Sequence, residues 1–218
     1  MKAIRNLLSI ILASFLLMPG VPVFAAERMS LEDAEELVDQ MFNDMEESEK
    51  VLEMPDGGFL YGEAYIAPAE DITEVLVSYD SETDPDSKTV EETKIDLIDD
   101  LVNGTPTIQP RGASVPTQNY VLGPGAVYKS SPFSGAGWRF SGYMFSPRPD
   151  TGYYLLWTSY GDDARVGDIV QARNTLNGTI QGEIIYNGVS KYINKATLSH
   201  VYYTYNPVDG SYYVVANY

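Results

Sequence analysis

The residue types that carry most enzymatic chemistry are scarce in this 218-residue chain. It holds no Cys and a single His, His200, within TLSHVYYTY on the strand face shared with Leu198, Tyr202 and Thr204. A Ser-His-Asp site needs a base beside an exposed Ser and a third group to orient it, and nothing here marks a nucleophile elbow. No catalytic residue is assigned, and His200 reads as a hydrogen-bonded side chain among tyrosines. One His and no Cys exclude a zinc ligand set. Paired carboxylates remain, with Asp162, Asp163, Asp168 and Glu183 as candidates. Glycosidic hydrolysis needs two carboxyls facing each other across a cleft, about 5–9 Å apart. Gly161-Asp162-Asp163 is ordinary turn chemistry, and an edge strand would accommodate Asp168. Asp80, Glu82, Asp84, Asp86 and Glu91 match a calcium-loop spacing, but Pro85 stands where the loop requires Gly, so the stretch reads as a solvated acidic loop. The glycines at 123, 125, 135 and 137 precede neither a helix start nor a Lys-Ser/Thr pair. No metal and no cofactor is expected.

The feature above background is tyrosine. Residues 119–218 hold 14 of the 17 Tyr and both Trp, and with three Phe they reach 19 aromatics in one hundred residues. Three adjacent pairs, Tyr153-Tyr154, Tyr202-Tyr203 and Tyr212-Tyr213, must send one ring to each face of a strand. Exposed Tyr, apolar in body and polar at the tip, suits recognition of a glycan, a peptide or another protein. Buried Tyr would instead form cross-strand aromatic pairs, each contributing a few tenths to about 1 kcal/mol. The stretch Trp138–Tyr160 reads as two strands around a turn, a core hairpin, and offers Tyr153, Tyr154, Trp157 and Tyr160 as binding candidates.

The elements that would position these residues follow from periodicity. In SLEDAEELVDQMFNDMEESEK the spacing of Leu31, Ala34, Leu37, Val38, Met41, Phe42 and Met45 predicts an amphipathic helix, with Ser30 as N-cap and Asp33 three residues on. Pro55-Asp56-Gly57-Gly58 ends it. Strands are expected at Phe59–Ile66 and Ile72–Tyr79, paired as a hairpin, and a helix with Ile95, Ile98, Leu101 and Val102 on one face and Asn103-Gly104 as its stop. The string TPTIQPRGASVPTQ, residues 105–118, reads as a Pro-rich linker. Nine strands are then expected: Asn119–Leu122, Ala126–Ser130, Trp138–Phe145, Tyr153–Tyr160, Arg165–Arg173, Gly178–Tyr186, Val189–Ile193, Thr197–Tyr205 and Ser211–Asn217. Asn187-Gly188 is the strongest hairpin signal among them. The fold class is mostly β: a C-terminal antiparallel sandwich or barrel, residues 119–218, preceded by a small acidic α+β or partly disordered leader, residues 26–104.

Charge divides the chain at the same place. Residues 27–118 carry 25 Asp+Glu against 5 Lys+Arg, a net of −20, whereas residues 119–218 carry 6 against 7, a net of +1. Such a leader is no partner for nucleic acid. Residues 1–25 place Lys2 and Arg5 ahead of an apolar run and end in small residues, which reads as a secretory signal peptide. That run is too short to span a membrane, which takes about 20 residues, so no membrane span is expected after cleavage. A signal, an acidic helical leader and a small aromatic β-module without Cys resemble, in general plan, short secreted proteins of Gram-positive bacteria. The expectation is a secreted or envelope-associated, non-enzymatic protein that binds an extracellular glycan or protein. The alternatives are a toxin- or bacteriocin-like effector released from its acidic prosegment by a cut at Arg111-Gly112, and an envelope hydrolase using the carboxylates above.

Overall fold

The computed structural model describes residues 28–104, 114–149, 154–194 and 199–218. The expected signal peptide and the Arg111-Gly112 bond lie outside the described residues. In chain order the elements are α1 (Leu31–Phe42), β1 (Lys50–Glu53), β2 (Phe59–Tyr61), β3 (Glu63–Pro68), β4 (Val77–Asp80), β5 (Lys88–Thr89), α2 (Val90–Val102), β6 (Gln118–Leu122), β7 (Val127–Lys129), β8 (Trp138–Phe140) and β9 (Met144–Pro147). There follow β10 (Tyr154–Tyr160), β11 (Ala164–Gly167), α3 (Ile169–Leu176), β12 (Glu183–Ile185), β13 (Lys191–Asn194), β14 (Val201–Tyr205) and β15 (Tyr212–Ala216). The fold is mostly β. A seven-stranded sheet runs β13-β10-β15-β7-β2-β1-β5, and two four-stranded sheets run β12-β11-β14-β8 and β4-β3-β6-β9. None closes into a barrel. No helix among the described residues is long and apolar enough to cross a membrane.

The acidic half supplies strands to the aromatic half. Phe59, Leu60 and Tyr61 pair with Lys129, Tyr128 and Val127, joining β2 to β7, while β3 pairs along its length with β6. Two of the three sheets therefore mix strands from both sides of the charge boundary, and that boundary does not divide the sheets. Gly62 makes the switch between them: its φ of +85° lies in the left-handed region, so Phe59–Ile66 breaks into β2 and β3 instead of running as one strand.

Cross-strand partners share a face in an antiparallel sheet, which sorts the seven-stranded sheet into two sides. Leu52, Leu60, Tyr128, Tyr213, Val215, Leu155 and Trp157 point inward and meet Ala64, Ile66, Tyr120, Leu122, Phe145, Val166 and Tyr202 of the two smaller sheets. On the other side Val51, Phe59, Tyr61, Tyr212 and Val214 lie under α1 and α2, against Val38, Met41, Phe42, Val90 and Leu97. On the far side of the second sheet, α3 sets Ala172 and Ile169 against Phe140, Val201 and Tyr203. The result is a sandwich with helices on both outer surfaces.

Several expected elements take other forms. The Trp138–Tyr160 hairpin does not exist: β8 pairs with β14, β9 with β6 in parallel, and β10 with β13 and β15. Arg165–Arg173 is a strand only to Gly167; Asp168 then accepts the amides of Val170 and Gln171, Gln171 answers with its side chain, and this capping box starts α3. Gly182, at a φ of +88°, limits Gly178–Tyr186 to the three residues of β12. The Asn187-Gly188 turn forms, with Val189 N–H donating to Tyr186 O, but it joins strands of different sheets, since β12 pairs with β11 and β13 with β10. α1 stops at Phe42, which frees Lys50–Glu53 to become β1. β3 and β4 pair as expected, but β4 covers only Val77–Asp80, since residues 72–76 form turns in place of the first part of the expected strand Ile72–Tyr79. α2 buries Val90, Thr93 and Leu97, leaving Ile95 on the exposed side.

Where α1 meets the sheet lies one buried cation. The Lys129 ammonium is covered by α1, donates to Met41 O at 2.8 Å and to the Asp44 carboxylate, and sits 5.8 Å from the Phe42 ring. The carbonyl end of a helix attracts positive charge, so this pin orients the helix on the strand. Burial pushes the lysine's pKa below its ordinary value, against the upward pull of Asp44.

Two outcomes follow. A chain cut at Arg111-Gly112 should elute in gel filtration as one species holding both fragments, because β2–β7 and β3–β6 pairing outlasts the cut; fragment 112–218 eluting alone would show the halves separable. Asp44→Ala should cost about 1–3 kcal/mol in urea denaturation by leaving a buried ammonium without its counter-charge, whereas Lys129→Met should cost under about 1 kcal/mol. The reverse order would remove the pin's importance.

Candidate functional site

The helical layer does not reach across the whole sheet. Its contacts run from β1 through β2 and β15 to Tyr160 at one end of β10, and the cluster it forms contains no residue of β13. Beyond that limit the same face carries Tyr154, Leu156 and Tyr192. Leu156 is opposite Tyr192 on one side and Ala216 on the other, and Tyr154 is opposite Asn194. Tyr218 follows Ala216 at strand parity. Tyr154, Tyr192 and Tyr218 are 47%, 61% and 69% exposed. The rings of Tyr154 and Tyr192 meet edge to face, with centroids 6.3 Å apart. Partial burial, then Asp44 and Tyr192, raise the pKa of Tyr218, so its hydroxyl stays protonated and able to donate. Asp44, which acts on Tyr218, is paired with Lys129, whereas Glu183 and Lys191 pair at 2.8 Å on the other face of β13, an interaction that lowers the Glu183 pKa. The outcome is a ledge of three tyrosines with an aliphatic floor.

The binding candidates read from sequence separate here. Tyr154 is on the ledge. Trp157 is not a surface residue; it is 0% exposed, on the inward parity of β10, and meets Phe145 edge to face at 5.5 Å and Tyr213 at 6.2 Å. Tyr160 is half-covered and stacks on Tyr212 at 4.4 Å, at the margin of the helical layer. Tyr153 lies outside the described residues. Tyr192 and Tyr218 are the partners that sequence reasoning missed. The signal for Tyr192 was its place in the short run between Asn187-Gly188 and Asn194, alternating with Ile193, but only the β10–β13 register puts it beside Tyr154.

The candidate carboxylates each have a separate local task. Asp162 accepts Val208 N–H at 2.6 Å, Asp163 accepts Asn187 N–H at 2.8 Å, Asp168 caps α3, and Glu183 holds Lys191. In the acidic loop, Asp80 accepts Glu82 N–H and the Thr83 hydroxyl, Asp84 accepts Asp86 N–H, and Glu91 stands in the first turn of α2. No group of three potential ligands is placed to hold a metal ion among the described residues. Comparison with protein-family models, with curated proteins and with solved structures found no match.

His200 is buried, and its backbone bridges to Phe145 in both directions at 2.8 and 2.9 Å, tying β9 of the third sheet to the residue just ahead of β14. Burial lowers its pKa to about 4, against the upward pull of Asp168 and of a hydrogen bond with the Asn194 backbone. The unfolded chain binds the proton first, so the stability held with a neutral imidazole is lost as pH falls from about 6.5 towards 4. The loss is on the order of 3 kcal/mol. His200→Gln should flatten the pH dependence of urea stability between pH 7 and 4.5 relative to the native chain. Equal slopes in the two proteins would mean His200 does not titrate in that window.

Proposed function

We propose that the chain is a secreted, non-enzymatic binding protein that holds a cell-envelope glycan on the ledge of Tyr154, Tyr192 and Tyr218. The observation that carries this reading is the exposure of three tyrosines where the helical cover of the sheet stops. An aromatic ring left in water on a rigid strand is a standing cost in apolar area, and a sugar recovers it by laying C–H faces on the rings while the tyrosine hydroxyls and Asn194 exchange hydrogen bonds with its hydroxyls. The non-enzymatic part rests on the separate structural tasks of the carboxylates and on the burial of the sole histidine. Secretion rests on the character of residues 1–25.

Co-sedimentation with purified Gram-positive cell walls tests the reading. The native chain should pellet with the walls, before and after their digestion with protease, and the Tyr154→Ala/Tyr192→Ala/Tyr218→Ala variant should stay in the supernatant with an unchanged melting temperature. Binding lost on protease treatment of the walls would make the partner a protein. A native chain that remains in the supernatant, or a triple variant that pellets equally well, would overturn the ledge as the site.

A further inference from the structure

The helical cover of the second sheet also stops short. On the surface that faces α3, Phe140 and Tyr203 are buried, with Val115, Trp138 and Ile169 packed against them. Tyr205 shares the strand parity of Tyr203 and stands directly opposite Trp138, yet it lies outside that cluster and is 58% exposed. Trp138 is half-buried. Its ring is 6.1 Å from that of Tyr203 and 5.1 Å from that of Tyr205, whose plane is inclined to it by 60°, so Trp138 and Tyr205 form a corner at the surface. The backbone fixes this corner from both strands. Asn206, next to Tyr205, is the one residue other than Gly with a positive φ among the described residues, at 52°. It meets Gly137, next to Trp138, twice: Asn206 N–H donates to Gly137 O at 2.9 Å, and Gly137 N–H donates to Asn206 Oδ1 at 2.6 Å. Arg139 donates to Trp138 O at 3.1 Å. Thr204 Oγ1 donates to Asp163 O at 3.2 Å, which keeps the exposed Asp163 at the same end of the sheet. A left-handed residue held by reciprocal hydrogen bonds is a feature that concentrates where a binding geometry must be fixed.

An exposed Tyr at a fixed angle to a half-exposed Trp has the chemistry of the ledge: ring faces for the C–H face of a sugar, and a phenol hydroxyl and indole N–H for its hydroxyls. The position is what differs. The ledge is on the helix-facing surface of the seven-stranded sheet, whereas Trp138 and Tyr205 are on the α3-facing surface of the second sheet, with the shared core between them. We propose, on the reading of the ledge as a glycan site, that Trp138 and Tyr205 form a second, weaker glycan platform and that one chain thereby joins two glycan strands of the wall. Two rings in place of three make the platform the weaker site. The ledge therefore decides whether a chain is held, and the platform decides whether neighbouring wall fragments are joined. Many chains acting together between two surfaces make a weak second contact sufficient.

Clumping of purified Gram-positive cell walls, followed by light scattering alongside co-sedimentation, tests this with the full chain. The native chain should clump the walls as well as pellet with them. Tyr205→Ala, which removes an exposed ring, and Trp138→Ala/Tyr205→Ala should each pellet within about twofold of the native chain yet clump the walls at least about tenfold less. Asn206→Asp, which tolerates the left-handed backbone and keeps the acceptor for Gly137, should retain clumping, whereas Asn206→Val should lose it, with melting temperatures confirming that each variant is folded. A native chain that pellets without clumping, or a double variant that clumps as the native chain does, would overturn the platform and leave the ledge standing. A native chain that does not pellet would overturn both. Sedimentation velocity should show the native chain and the double variant as monomers; a native dimer that the double variant loses would reassign clumping to self-association and overturn the platform.

Discussion

The pairing of Phe59–Tyr61 with Val127–Lys129 is the constraint on which the architecture depends. Without it the central sheet would present β7 as an open edge and the aromatic strands would lose the two helices that cover Tyr212 and Val214. It also accounts for Lys129, whose partner Phe59 places it on the helix-facing side, where an ammonium has no water to face. The acidic half solves this locally with the Met41 carbonyl and Asp44. A net of −20 packed beside a net of +1 therefore needs few specific ion pairs; the halves are held by backbone pairing and apolar burial, and the acidic side chains of α1 and α2 stay on the solvent side of those helices.

Tyrosine serves mainly as a core residue here. Tyr202 and Tyr213 stack at 4.4 Å between the seven-stranded and the second sheet, and Tyr120 stacks on Tyr143 at 3.9 Å next to Tyr128, which donates to Asp56 at 2.7 Å. Hydroxyls are led to partners where the geometry permits: Tyr202 to Ser159 at 2.9 Å, Tyr203 to Gln181 O at 2.7 Å. Gly58 shows how close the packing is, since a Cβ there would lie 2.1 Å from the Tyr128 hydroxyl.

How much of this was legible in the sequence depended on whether the signal was local. α1 was, from Ser30 and the Leu37, Val38, Met41, Phe42 stripe, and so was the second helix, although its buried face begins at Val90, not Ile95. Apart from β1 and β5, the strands were legible as strands, but period two assigns a side chain to a face and says nothing of the neighbour, so the Trp138–Tyr160 hairpin dissolved into three sheets. The tyrosine pairs teach the same lesson. Tyr202-Tyr203 and Tyr212-Tyr213 do point to opposite faces, yet all four are buried, because β14 is covered by the large sheet on one side and α3 on the other, and β15 by the core on one side and α1 on the other. Exposure needs a strand covered on one face only, which is a property of the assembled layers. At Asp168 the strand alternation Ala164-Arg165-Val166 runs directly into a helix start, and the local mark of the change is the capping relation with Gln171.

The same layering explains why recognition surfaces would lie where they do. Strands near the middle of the large sheet have both faces occupied, so a ligand can meet rigid strand side chains only where a layer ends. One such place is the β10–β13 margin, where the helices stop and the exposed tyrosines stand. Another is the β3–β4 edge of the third sheet, where the strands run out into an acidic loop and leave a cleft. The first offers aromatic area; the second is lined by acidic side chains.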